Sequence, residues 1–88
     1  MKFQARWNME TRVALIGIVV EDMNSVMELN NILHEYNSYI IGRMGLPHRE
    51  KNISIISVAV DAPQDIISAL SGKLGMLAGI STKTVYSK

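Results

Sequence analysis

The sequence predicts an α+β fold in which two helices cover one face of a four-stranded antiparallel sheet. Four segments rich in β-branched and other apolar residues alternate with two segments whose apolar residues recur every three or four positions, in the order β-α-β-β-α-β. A short polar link between the second and third strands favours a hairpin, so these strands should pair antiparallel. A chain of 88 residues forms one domain. We therefore expect a single domain over residues 11–88, preceded by a tail or arm at 1–10.

The first strand is predicted at 12–20. One of its faces comprises Val13, Leu15 and Val19, and the other comprises Ala14, Ile16, Ile18 and Val20. Two apolar faces are typical of a central strand that is covered on both sides.

A polar turn and an amphipathic helix follow this strand. Either Asp22 or Asn24 can cap the helix, because its side chain can accept a hydrogen bond from an unpaired N–H group of the first turn. The helix is predicted at 25–36 from apolar residues at helical spacing. These residues are Val26, Leu29, Leu33 and Tyr36.

The second and third strands are predicted at 39–46 and 53–60, with a charged turn at 47–52 between them. The third strand is rich in β-branched residues, which fit a pleated surface. It places Ile53 and Ile55 on one face and Ile56, Val58 and Val60 on the other.

The second helix should begin near Pro63, where the missing N–H group costs nothing. Asp61 or Ala62 is the expected cap, and Gly75 is expected to end the helix in the left-handed conformation. The last strand is predicted at 80–86, and its Thr and Lys residues suggest an exposed edge.

With right-handed crossovers, this order gives a ferredoxin-like, or split βαβ, sandwich. The first and third strands are expected at the centre and parallel to each other, with the second and fourth at the edges. Two helices can cover only one face of the sheet, although the central strands are apolar on both. We therefore expect a homo-oligomer, dimer or tetramer, that buries the second face or an adjoining edge.

The alternative is a monomer whose N-terminal arm folds over that face. Residues 1–10 are interpreted either as a disordered tail or leader, with Met9 as the true start, or as an arm in which Phe3 and Trp7 anchor onto a partner subunit.

Composition excludes several classes of function. The net charge is +1 and the Lys and Arg residues form no stripe, which argues against direct nucleic-acid binding. No apolar run approaches the ~20 residues of a membrane span. Because cysteine is absent, disulfides, thiolate zinc sites and a cysteine nucleophile are excluded. We expect a cytoplasmic protein.

The second strand and the charged turn after it carry the one cluster of convergent polar residues expected in the chain. They are Arg43 in the strand and His48, Arg49 and Glu50 in the turn, with Gly42 and Gly45 in the same strand as Arg43. The two arginines offer forked donors to an anion, and the glycines leave room for a ligand or a neighbouring subunit. Alternatively, the segment is a twisted edge hairpin whose charges prevent aggregation of strand on strand.

Metal binding and catalysis have little support in the sequence. His34 and His48 are the only histidines and lie on different predicted elements, so no metal or cofactor is expected. Neither histidine has a recognisable Ser or acid partner, so no catalytic residue is assigned and an enzyme is not expected.

Two segments carry a family resemblance. They are YIIGRMGLPHREK at 39–51 and LSGKLGMLAG at 70–79. In this order and spacing they resemble a family of small bacterial proteins described as regulators of the iron-only hydrogenase system, over about residues 10–88. That family is similar to ACT domains and to the ligand-binding domain of nickel-responsive repressors. The chain lacks the repressors' ribbon–helix–helix DNA reader and their metal-ligand set.

By analogy with ACT domains, in which effectors often bind near the loop after the first strand, Glu21, Asp22 and Asn24 are further candidates for ligand binding. They serve equally well as helix caps. The resemblance implies a regulatory, oligomeric module that senses a small molecule or contacts a protein in hydrogenase expression or maturation. The alternatives are a structural partner that docks through an edge strand without a ligand and, as a distant third, a small enzyme.

Overall fold

The structure is a computed structural model that describes residues 10–88. Its elements are β1 (Arg12–Val20), α1 (Val26–Glu35), β2 (Ile40–His48), β3 (Ile53–Ala62), α2 (Gln64–Gly75) and β4 (Ile80–Tyr86). Short 3₁₀ turns occur at Met23–Ser25, Asn37–Tyr39 and Arg49–Lys51. The predicted βαββαβ order and ferredoxin-like fold are confirmed. Phe3, Trp7 and Met9, on which the expectations for the N-terminal arm rest, lie outside the described residues.

The strand order of the sheet is β2-β3-β1-β4, and every neighbouring pair is antiparallel. The central and edge strands are those predicted. The prediction that β1 and β3 run parallel is wrong. The crossover through α1 makes β2 parallel to β1, and the hairpin reverses the chain, so β3 must lie antiparallel between them.

The helices cover one face of the sheet and enclose the core between the two layers. The core side chains that are almost fully buried come from both helices and both central strands. They are Ile16, Ile18, Val20, Leu29, Leu33, Val58, Val60, Ile67, Leu70 and Leu74. Of the two apolar faces predicted for β1, the one with Ala14, Ile16, Ile18 and Val20 faces the helices.

Several boundaries differ from the predictions. Asp61 and Ala62 continue β3 instead of capping α2, because Asp61 pairs with Val13 in the ladder. Pro63 occupies the cap position, with a ψ of 151°. Gly75 remains helical as the last residue of α2, so the prediction of a left-handed residue there is wrong. Among the described glycines, Gly79 alone has a positive φ, of 70°.

The opposite face of the sheet carries no helix of the described chain, and we call it the open face. Six large apolar side chains on it are between 44% and 67% exposed: Val13, Leu15, Met44, Leu46, Ile55 and Val85. They come from all four strands, as the pairings of Leu15 with Val85 and of Leu46 with Ile55 show. No helix within residues 10–88 is long and apolar enough to cross a membrane.

Candidate functional site

The loop after β1 is held by structural hydrogen bonds. Asp22 Oδ1 accepts a hydrogen bond from the backbone N–H of Asn24 at 3.0 Å, so Asp22 is the residue that caps the 3₁₀ turn. The backbone N–H of Glu21 donates to Gly79 O at 2.7 Å, and Ser25 Oγ donates to Ala78 O at 2.7 Å. The side chains of Glu21 and Asn24 are exposed. The loop thus joins β1 to the start of β4, and Asp22 has a structural role there.

The hairpin tip brings three of the predicted candidates together. His48 ends β2, and Arg49 and Glu50 form the 3₁₀ turn that follows. His48 Nε2 lies 3.9 Å from Glu50 Oε1, and both side chains are exposed, so this pair contributes little to stability even when the histidine is protonated. The tip and Met23 of the loop after β1 line a depression of 200 Å³.

Arg43 lies apart from this cluster, on the opposite side of the sheet. It pairs with the buried Val58 on the helix side, whereas His48 pairs with Ile53 on the open face. Arg43 Nη2 donates a hydrogen bond to Asn30 Oδ1 on α1 at 3.2 Å. The sequence prediction grouped these residues because they are close along the chain, and the strand separates them.

A cavity of 440 Å³ lies beside Arg43, between α1 and the edge strand β2. Its lining consists of Asn30, Leu33, His34, Asn37, Ile40 and Arg43. Sequence reasoning did not single out Asn30 or Asn37, and it treated His34 as an isolated histidine. The helical spacing of positions 30 and 34 could have grouped Asn30 with His34, whereas Asn37 lies in the 3₁₀ turn after α1 and has no such signal.

Within residues 10–88, no contact requires a glycine at position 42 or 45, where the sequence predicted the close approach of a ligand or a neighbouring subunit. A Cβ atom built on Gly42 meets no atom within 4 Å, and one built on Gly45 meets only Ile56 Cγ1 at 4.0 Å. Gly42 adjoins a depression of 390 Å³ on the open face, next to Ser57 and Ala59. The prediction that these glycines leave room for a ligand or another subunit remains a prediction.

Over residues 10–88, no three side chains of His, Asp or Glu converge on a point where a metal ion could bind. His34 lines the cavity beside α1, whereas His48 lies at the hairpin tip.

Residues 12–84 match the model of a protein family described as TM1266-like, an iron-only hydrogenase system regulator. This match spans most of the chain. The chain belongs to this family. The family's name places its members in regulation, and the predicted resemblance is confirmed. No curated protein matches the chain.

Solved structures support both the family and the fold. The chain is 39% identical to the TM1266 protein of Thermotoga maritima, with a TM-score of 0.86 over 90% of this chain and 100% of that one. A formyltetrahydrofolate deformylase from Pseudomonas putida is 14% identical, with a TM-score of 0.60 over 83% of this chain and 28% of the deformylase. A protein of unknown function from Galdieria sulphuraria is 17% identical, with a TM-score of 0.61 over 90% of this chain and 46% of that one. At these low identities the last two share the fold alone with this member of the hydrogenase-regulator family.

Proposed function

We propose that this member of the hydrogenase-regulator family is a non-enzymatic regulatory module that acts in the cytoplasm as a homo-oligomer. The open face is its self-association surface. A single observation carries the proposal: six large apolar side chains from four strands share this face and are 44% to 67% exposed. Contiguous apolar patches of this kind mark interaction surfaces on globular proteins.

The charge of the open face favours a second sheet as its occupant. Asp61 and Lys83 are the residues of fixed charge that the register of the described strands places on it. Asp61 lies near the end of β3, whereas Lys83 lies opposite Gly17 on the edge strand β4 and borders a depression of this face. Two copies related by a two-fold axis can join their apolar side chains if the Lys83 ammonium group reaches solvent past the edge strand, as long lysine stems allow.

The open face has both depressions and projecting side chains, so the open faces of two copies can pack against each other. Three depressions lie on this face: one of 390 Å³ next to Gly42, Ser57 and Ala59, one of 230 Å³ that includes Gly17, and one of 270 Å³ that includes Val13 and Val85. Leu15 and Ile55 project beside these depressions. When two sheets pack about 10 Å apart, side chains of one inner face fill the gaps in the other. A second copy supplies projecting side chains of this kind.

Sedimentation velocity of two matched lysine variants tests the proposal. Met44 lies on the open face and is 66% exposed, whereas Met27 lies on α1 and is 77% exposed. A lysine at position 44 would place a charge inside the interface, so M44K should shift the protein toward a monomer of 9.8 kDa, with self-association at least about tenfold weaker. M27K should sediment as the wild-type protein does. Equal dissociation of both variants, or a wild-type monomer at all concentrations, would refute self-association through this face.

The N-terminal arm is the competing occupant. A variant that begins at Met9 should keep the wild-type oligomeric state if a second copy covers the open face. If this variant instead aggregates while the full chain is monomeric, the arm is the cover and the proposal fails.

A further inference from the structure

We propose that the cavity between α1 and β2 binds a small organic carboxylate, with the carboxylate group held by Arg43. This site lies on the helix side of the sheet, away from the open face. The inference goes beyond self-association and does not depend on it.

The polar wall of the cavity is suited to an oxyanion. A guanidinium group has five N–H donors in a rigid, planar arrangement. In Arg43, one of them is donated to Asn30 Oδ1 at 3.2 Å. That bond restrains the guanidinium at the cavity and leaves further donors for a ligand. Paired donors of arginine match the geometry of a carboxylate. The amide groups of Asn30 and Asn37 add neutral donors to the same wall.

The charge of the cavity has one sign. Arg43 is the one fixed charge among the six lining residues, and no carboxylate is among them. Because an arginine in such a place attracts anions and repels cations, the ligand should carry a negative charge.

Part of the cavity lining is apolar. Leu33 is only 2% exposed and Ile40 is half-buried, and both line the cavity together with its polar groups. A volume of 440 Å³ lies within the range of small-molecule sites, about 300–1,000 Å³, and exceeds what a bare inorganic anion fills. A ligand with an aliphatic or aromatic body next to its carboxylate would use both parts of the site.

Titration of the full-length ¹⁵N-labelled protein with sodium hexanoate tests the inference. Chemical shifts should move at residues 30–43 along α1 and β2, and they should saturate. Hexanamide has a chain of the same length but no charge, so it should bind at least about tenfold more weakly because the guanidinium loses its ionic partner. Inorganic phosphate lacks the apolar body and should also bind more weakly than hexanoate.

Two variants that each remove one positive charge distinguish binding in the cavity from general attraction of the anion to a positively charged protein. Arg43→Gln should weaken hexanoate binding by about tenfold or more, whereas Lys51→Gln at the hairpin tip should leave it unchanged. Arg43 is exposed, so the thermal midpoint of Arg43→Gln should stay near that of the wild type and exclude unfolding as the cause. Equal weakening in both variants, or equal binding of hexanoate and hexanamide, would overturn the proposal. Phosphate binding as tight as hexanoate binding would overturn the organic part of it.

The M44K variant keeps this test independent of self-association. Its cavity is intact, so it should bind hexanoate as the wild-type protein does even when it is monomeric. Loss of hexanoate binding in M44K would show that the cavity requires the oligomer and would contradict the site as stated.

Discussion

Gly79 lies where the chain leaves α2 and enters β4, and its backbone conformation is one that few other residues adopt. Its φ is +70°, and a Cβ atom at this position would lie 2.5 Å from Asp22 Cβ and 2.8 Å from Asp22 N. Both conditions exclude a side chain, since real Cβ atoms do not approach other atoms so closely. The close approach lets Gly79 O accept the N–H of Glu21 and so joins the ends of β1 and β4.

A glycine-to-alanine pair tests this account. Gly79→Ala should lower the free energy of unfolding by about 2–4 kcal/mol, from backbone strain and from the clash with Asp22. Gly72→Ala, in the interior of α2 with no atom within 4 Å of the new Cβ, should raise it by up to about 1 kcal/mol. Urea denaturation at matched protein concentration measures both. Effects of the same sign would contradict the role assigned to Gly79.

At the residue scale, the sequence predicted the need for a left-handed glycine but not its position. Gly75 and Gly79 both follow the apolar pattern of α2, and either fits a helix end on local grounds. The deciding contact is with Asp22, which is distant along the chain. Local pattern reasoning cannot detect such a contact.

At the scale of elements, Lys73 joins the C-terminal ends of the two helices. Its Nζ atom lies 3.7 Å from Glu35 Oε1 and 5.1 Å from the centre of the Tyr36 ring. The neighbouring Tyr36 side chain, followed by the charge of Glu35, raises the pKa of Lys73 above its ordinary value. Since the charged side chains of Lys73 and Glu35 are exposed, their ion pair supports the helix pair weakly and is screened by salt, whereas Tyr36 is half-buried.

The sign of this pKa shift predicts a pH dependence. A raised lysine pKa contributes stability that is fully present below the unfolded-state pKa of about 10.4 and is lost as the pH rises through the higher folded-state value. Lys73→Met should therefore lower the thermal midpoint slightly at pH 7, and its difference from wild type should shrink above about pH 10.4. Thermal unfolding by circular dichroism at pH 7, 9 and 11 checks this. A difference that grows with pH would contradict it.

The end of β2 shows what element prediction misses. The sequence placed the end at Leu46 because Pro47 has no N–H group for a ladder. In the structure β2 continues to His48, and Pro47 pairs with Ser54. An edge strand tolerates proline, because an N–H group on its outer side has no neighbour within the sheet. The edge position of β2 follows from the whole topology and not from the local sequence.

At the scale of the whole molecule, the two-layer architecture and the exposed second face were predictable from the apolar pattern of the central strands. The predicted cluster of Arg43, His48, Arg49 and Glu50 was less secure. Positions 43 and 48 are an odd number of residues apart on one strand, so their side chains face opposite sides. The sequence analysis placed His48 in the turn, so this division follows only from the continuation of β2 to His48. The pairing of Arg43 with Asn30 also required the packing of α1 on the sheet.

Gly42 offers a test of assembly that leaves the folded chain intact. Because no atom lies within 4 Å of a Cβ at position 42, Gly42→Val should change the unfolding free energy of the monomer by less than about 1 kcal/mol. The new side chain would occupy part of the 390 Å³ depression that we assign to the second copy, so dimerisation should weaken by about tenfold. Sedimentation equilibrium over a range of concentrations measures it. Unchanged self-association would place the interface elsewhere.

Strand β2 carries neighbouring residues that belong to different surfaces. Gly42 and Met44 face the proposed assembly surface, and Arg43 between them faces the proposed ligand. One strand therefore contributes to both surfaces. Because residues 42 and 44 face away from the side chain of residue 43, a substitution on either surface leaves the side chains of the other in place. The two proposed roles of this strand can therefore be tested separately, although they depend on consecutive residues.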